Sequence, residues 1–364
     1  MVRVSVKSAA LGLLGVAVLG LLGVAAAAEA TKDGKAAAKS ATAASGAWAP
    51  APNSIVNPPK NTSLSAWESY KGKSPKPSVD EHLADPVLKG AIDVHAHFGP
   101  DSYERQWDAF EIARIAHERG MRGLVLKNHW AESAGLAFMT RKYAGVPGLE
   151  VFGALVLNGP EGGINPQAVR YFAEVEGHYG KVVWFPTHDA ESEVKYLKET
   201  RPYVIVSKNG VLLPSVYEVL DLIAQYKLTL ATGHVSAPEM VQIVTEARKR
   251  GIEHIIITHP GLGPQYTDPS LDQLKQVTGM GAYAEVVSTE LSVPSLRDKT
   301  IAMMKAIGPA HLIVSTDSGL IGSRNHADAL VHAAQTLRTA GFSEADLDLM
   351  FKANPAKVLG LPPL

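Results

Sequence analysis

Cysteine is absent from all 364 residues. That excludes disulfides, thiolate metal sites, cysteine nucleophiles and a bacterial lipoprotein anchor. Excess charge of either sign is absent too: 35 Lys and Arg stand against 36 Asp and Glu, for a formal net charge of −1. With no basic surplus, nothing marks a surface for nucleic acid or anionic lipid. A Gly-x-Gly-x-x-Gly turn is missing after the first strand-like run, which weakens the case for an open, doubly wound sheet. Beyond residue 30 no run is long and apolar enough to span a bilayer.

The N-terminus reads as a processing segment. Arg3 and Lys7 supply a positive segment before an Ala/Leu/Gly/Val run over residues 9–28, and Ala28-Glu29-Ala30 offers a small-x-small cleavage site. This pattern predicts a signal peptide over residues 1–30, with an uncleaved anchor helix as the alternative. The expected mature protein is exported, periplasmic or secreted, with no membrane segment. Residues 31–87 read as a linker and N-terminal extension. The first part, to about residue 60, is rich in Ala, Lys, Ser and Pro and lacks periodicity, as flexible linkers do. The second part, with Trp67, Tyr70, Pro75 and Pro77, is a candidate strap over the main domain.

Over residues 88–364 apolar strand-like runs alternate with amphipathic segments. The runs are Ala91–His97, Gly123–His129, Val151–Asn158, Val182–Thr187, Leu228–Gly233, His254–Thr258, Ala282–Val287 and Leu312–Thr316. Helical segments between them include Tyr103–Arg119, Pro166–Tyr179, Pro214–Tyr226, Pro238–Arg250 and Leu291–Ala306. Several open on Pro and several stop at Gly, as helices do. Such alternation implies a parallel sheet. Eight units in one domain predict an α/β fold, a (β/α)₈ TIM barrel.

The chemistry is carried by histidine. In Asp93-Val94-His95-Ala96-His97 the two imidazoles are two residues apart, so in a strand they share a face and can grip one divalent ion. Of the 13 histidines, His95, His97, His129, His188, His234 and His259 fall at the C-terminal ends of expected strands, where barrel active sites are built. The others, His82, His117, His178, His254, His311, His326 and His332, read as structural or solvated and away from that rim. Asp317 ends the eighth run with no cation beside it in sequence. A buried carboxylate needs a partner, so a metal or histidine is expected there. Lys127 ends the second run and shares its expected face with His129. Either it pairs with Asp93 or Glu285, or it is carbamylated and bridges two metals.

These residues resemble the metal-dependent amidohydrolase superfamily, specifically a poorly characterised bacterial group. The resemblance rests on Asp93-Val94-His95-Ala96-His97, then His234, His259 and Asp317 in order. Ala353-Asn354-Pro355-Ala356-Lys357-Val358-Leu359-Gly360-Leu361 is similar to that superfamily's closing helix. One departure stands out: binuclear members place a bridging lysine or glutamate at the end of strand four, where this chain has Phe185-Pro186-Thr187-His188. The resemblance implies a hydrolase acting on an amide, ester or lactone of a small molecule. Its metal ligands would be His95, His97, Lys127, His234, His259 and Asp317. Asp317 and His259 would be catalytic, and His129, His188, Asn158 and Glu285 would bind substrate. Asp93 would support an imidazole N–H. One or two divalent ions are expected, Zn²⁺ first, with Mn, Fe, Co and Ni open. A mononuclear decarboxylase (a lyase) and a non-catalytic metal- or ligand-binding protein are the alternatives. Homo-oligomerisation is compatible with the barrel.

Overall fold

The computed structural model describes residues 54–57, 78–102 and 104–363. The expected signal peptide and most of the linker lie outside these residues. Eight parallel strands form one sheet: β1 (Ile92–His97), β2 (Gly123–Lys127), β3 (Glu150–Val156), β4 (Gly180–Trp184), β5 (Thr229–Ala231), β6 (Ile255–Ile257), β7 (Tyr283–Val287) and β8 (Leu312–Ser315). A helix follows each: α1 (Ala109–Glu118), α2 (Ala134–Tyr143), α3 (Pro166–Glu174), α4 (Pro214–Tyr226), α5 (Ala237–Lys249), α6 (Leu271–Gly279), α7 (Pro294–Ile307) and α8 (His326–Thr339). This is the expected eightfold alternation.

The strands are mostly apolar because both faces are covered, with buried polar residues such as Asp93, His95, Lys127 and Glu285 as the exceptions. Ile255, Ile256 and Ile257 of β6 are all fully buried. Ile256 joins Ile92, Val94, Val125, Trp184 and Ile313 in one core cluster, while Ile255 and Ile257 pack in another that includes Ile243 and Val244 of α5. The interior cluster also takes in Ala356, Val358 and Leu359. These come from the closing helix Asn354–Val358 and the residue after it. Asn354 Nδ2 donates to the carbonyls of Pro309 and Leu312 at 2.8 and 2.7 Å, pinning that helix beneath β8.

Ladder pairing runs from β1 round to β8 and leaves the β8–β1 edge open. Other bonds stitch that seam. Asp317 N–H donates to the His95 carbonyl at 3.0 Å, and His97 N–H to the Ser318 carbonyl at 3.0 Å. Asp93, fully buried, accepts from His95 N–H at 3.1 Å, Thr316 N–H at 3.1 Å and the Thr316 hydroxyl at 2.6 Å. Asp93 therefore closes the barrel and does not support an imidazole ring, as the sequence had implied. The β1–β2 register shifts between Asp93 and Ala96. This irregularity breaks the simple alternation that would have put Asp93, His95 and His97 on one face.

Local chemistry moved some helix limits. α1 begins at Ala109 because Asp108 and Glu111 form a reciprocal capping box. Of the helix expected from Tyr103, which lies outside the described residues, the stretch 104–107 is instead a rim loop leading to that cap. Pro294 starts α7 afresh after the short helix Ser288–Ser292, splitting the run expected over Leu291–Ala306. Residues 54–57 carry a two-residue strand, Ile55–Val56, antiparallel to Tyr203–Val204. Further on, Asp328 of α8 accepts the N–H groups of Glu81 and Leu83 at 2.7 and 3.0 Å, so this part of the extension lies against the barrel.

Removing the Asp93 carboxylate strands three buried donors. Asp93→Ala is expected to cost about 3 kcal/mol or more in urea unfolding. A loss below about 1 kcal/mol would remove Asp93 from the seam's support.

Candidate metal centre

Six histidines ring the C-terminal mouth of the barrel: His95 and His97 from β1, then His129, His188, His234 and His259 from the loops after β2, β4, β5 and β6. Neighbouring rings in that circuit have centroids 4.3 to 5.9 Å apart. Two backbone features place the later members. Gly233 has φ +63°, and a Cβ there would collide with the Phe185 and Pro186 carbonyls. Only glycine allows the turn that presents His234. Asp317 itself has φ +52° and His259 φ +21°, uncommon values for residues with side chains. Backbone held this way concentrates at functional positions.

Asp317 Oδ1 lies 3.0 Å from both His95 Nε2 and His97 Nε2. These three residues bring one donor atom each into a space that fits a metal ion. Glu285 Oε1 holds His95 Nδ1 at 3.1 Å and accepts the Ser315 hydroxyl at 2.6 Å. Burial and Lys127 oppose protonation of His95, but the carboxylates of Asp317 and Glu285 outweigh them and lift it to about 9. Burial and then Arg105 hold His97 well below the usual imidazole range. Burial would raise Asp317, yet His95 and His97 keep it well below the carboxylate range. The carboxylate thus stays ionised and cation-seeking.

Lys127 Nζ sits 2.8 Å from His95 Nε2 and 5.3 Å above the Trp184 ring. Burial brings it down to about 8, against the pull of Asp317 and Glu285. It contacts His95 and not Asp93, whose carboxylate the seam already uses.

A second group joins His188 and His234 through Glu193. Glu193 Oε1 is 2.9 Å from His188 Nδ1, and Oε2 is 2.5 Å from His234 Nδ1. Burial would raise Glu193, but the two rings hold it below the usual range. Burial pushes His234 down to about 4 and His259 to about 3, so both are neutral and able to donate a lone pair.

A cavity of about 360 Å³ opens over this ring, lined by His97, Lys127, His129, His188, His234 and His259 among others. A second, of about 670 Å³, meets it at Thr289, Asp317 and Leu320. Two expected substrate contacts are corrected here. Asn158 is fully buried and spends its amide on the His129 carbonyl, the Thr187 hydroxyl and the Thr187 N–H. Glu285 is fully buried behind His95. Neither can reach a solute. Two histidines expected away from the rim also lie near it: His326 Nε2 contacts the Ser318 carbonyl at 3.1 Å, and His332 lines the second cavity.

Sequence reasoning missed Arg105, Glu193 and Tyr266. Arg105 reaches the cavity from the loop before α1, held by Asp101 at 2.8 Å and contacting His97 Nδ1 at 3.1 Å. Tyr266 packs edge-on against His234 and His259. No spacing rule flags these, because their partners are distant in sequence or on irregular loops.

Glu290 buttresses the loop after β6. It is fully buried, accepts the Val287 N–H at 2.7 Å, and approaches Gly261 so closely that a Cβ there would collide with it. Burial pushes its carboxyl up to about 8 from an ordinary 4.5. Between those values the unfolded chain ionises this group while the folded one does not, so its contribution to stability falls as pH rises. Glu290→Gln removes the penalty. The variant should gain on the wild type by up to about 1.4 kcal/mol per pH unit between about pH 5 and 8. A stability difference independent of pH in thermal unfolding would refute this assignment.

No curated protein matches this sequence. Solved structures do match the fold. An amidohydrolase from Pseudomonas aeruginosa is 11% identical, covers 75% of this chain and 97% of its own, and has a TM-score of 0.52. An amidohydrolase from Burkholderia multivorans with bound zinc is 12% identical over 75% of this chain and 99% of its own, with a TM-score of 0.51. An organophosphorus hydrolase from Deinococcus radiodurans is 13% identical over 79% of this chain and all of its own, with a TM-score of 0.50. At this identity the likeness establishes a shared barrel. Residues 90–285, more than half of the chain, match a family of unknown function (DUF6282). That segment contains every histidine of the ring, and the chain belongs to this family.

Proposed function

We propose that the chain is a metal-dependent hydrolase of small molecules. The convergence of His95, His97 and Asp317 at the edge of a cavity carries this reading. The residues present fit a divalent ion. Two imidazoles and a carboxylate suit Zn²⁺ and also Mn, Fe, Co or Ni. His234 Nε2 and His259 Nδ1, on rings that line the cavity, are buried polar atoms with no hydrogen-bond partner. A cation nearby would give such atoms a reason to be there. His95, His97 and Asp317 would hold one ion, with His234 and His259 the further candidates. Lys127 would take part in metal binding only after giving up its contact with His95. When bound, the ion supplies Lewis acidity and a water acidified to near neutrality.

The protein's own groups do the rest. Asp317 faces both cavities. It can accept a proton from the attacking water and deliver it to the leaving group. Glu285 keeps His95 in one orientation through Nδ1. His129 and His188 line the same cavity as Asp317 and are the remaining substrate contacts. The cavity volume suits a small amide, ester or lactone. Names of proteins sharing the barrel, an organophosphorus hydrolase and amidohydrolases, agree with hydrolysis in general. The lyase alternative calls for one metal with an arginine or histidine clamp on a substrate carboxylate; of the cavity-lining candidates Arg105, His129 and His188, Arg105 is already engaged by Asp101 and His97. We place the protein in an exported compartment on the strength of residues 1–30 alone. Among the described residues no helix is long and apolar enough to cross a membrane.

Elemental analysis of the purified protein should find at least one divalent metal per chain, and none would end the proposal. Chelation should abolish hydrolysis of a panel of small esters, lactones and amides, and metal add-back should restore it. Asp317→Asn should lower kcat by roughly a hundredfold or more while circular dichroism stays native. Unchanged turnover would remove Asp317 from the chemistry.

A further inference from the structure

The short helix Glu191–Tyr196 stands behind the histidine ring and touches it at several points. Ser192 Oγ donates to the His234 carbonyl at 2.5 Å. Glu193 reaches both the His188 and the His234 rings. The His188 carbonyl is held in turn by Arg201, whose Nη1 also binds Asp189 at 2.6 Å. Asp189 accepts the Gly159 N–H at 2.9 Å, tying in the loop after β3. The helix is therefore fixed to the ends of two neighbouring strands at once.

Glu193 could serve here as a metal ligand or as a clamp. Both Glu193 contacts, 2.9 and 2.5 Å, are to the Nδ1 atom of a ring, the position from which a histidine that offers its Nε2 donates a hydrogen bond. A carboxylate that accepts an Nδ1–H leaves that ring's Nε2 as a bare lone pair. His234 Nε2 is such an atom, buried and without a hydrogen-bond partner, on a ring that lines the cavity.

We propose that Glu193 is a positioning residue: one carboxylate that fixes His188 and His234 together in the Nδ1–H form and presents both Nε2 atoms to the cavity. This deepens the metal-dependent reading of the site, and its primary readout does not depend on that reading. The pair becomes a ready donor set on the side of the ring away from His95 and His97.

The test uses the full chain, labelled with ¹⁵N-histidine and free of metal. Long-range ¹H–¹⁵N spectra distinguish the two tautomers, and His188→Asn and His234→Asn assign the rings. Both rings should be Nδ1–H in the wild type. In Glu193→Ala both should lose that preference. In Glu193→Gln, which keeps the shape but offers one acceptor oxygen, only one ring should keep it. Zinc affinity, measured by chelator competition, should fall about 10- to 100-fold in both variants. Nε2–H rings in the wild type would overturn the proposal. So would ring spectra unchanged by both substitutions, and so would zinc lost without any change of tautomer, which would make Glu193 a ligand itself. Should Glu193→Ala fail to fold, Glu193→Gln decides alone. A wild type with Nδ1–H rings that takes up no metal would sink the hydrolase reading and leave the clamp standing.

Discussion

Closure of the barrel between β8 and β1 is the constraint on which the site depends. The ladder does not complete itself there. Asp93 supplies the missing acceptors, and the backbone of residues 95–97 pairs with that of 317 and 318. The same bonds set Asp317 against His95 and His97. Fold closure and the geometry of the candidate metal centre rest on the same bonds. The register shift in β1 follows from this arrangement, since it lets Asp93 turn to the seam while both imidazoles stay on the cavity side.

The rim is an economy of buried charge. Carboxylates and imidazoles are costly to bury alone and tolerable when paired. Glu285 and Asp317 flank His95, and Glu193 stands between His188 and His234. Lys127 adds an ammonium against His95. His97, His129, His234 and His259 are held neutral and Asp317 and Glu193 ionised, the state a divalent cation requires of its ligands. His95, lifted to about 9, must give up a proton to bind one.

Much of this was legible in the sequence because it is local. Apolar runs of strand length, proline at helix starts and glycine at helix ends predict the eightfold alternation. Histidines that close those runs must collect at one rim, whatever the details of packing. His95 and His97 share a face by simple alternation, and Asp317 needed a cationic or imidazole neighbour because its run is buried. Asn158 follows the end of the third strand and Glu285 lies within the seventh, and both were expected to meet substrate. That expectation failed because position along a strand does not say whether a polar group meets solvent or another polar group.

What the tertiary structure alone decided is the pairing of distant groups. Glu193 lies 41 residues from His234, and Asp93 lies 223 residues from Thr316. Arg105 enters from an irregular loop. No periodicity encodes such contacts, because they arise only when eight strands close and bring separate loops to one mouth. The sequence by itself determined the barrel and the donor types at its rim, since hydrophobic period and strand-end chemistry are properties of neighbouring residues. Which donors face the cavity, which carboxylate orients which ring and how the barrel seals were settled by packing, since each depends on residues the chain brings together from far apart.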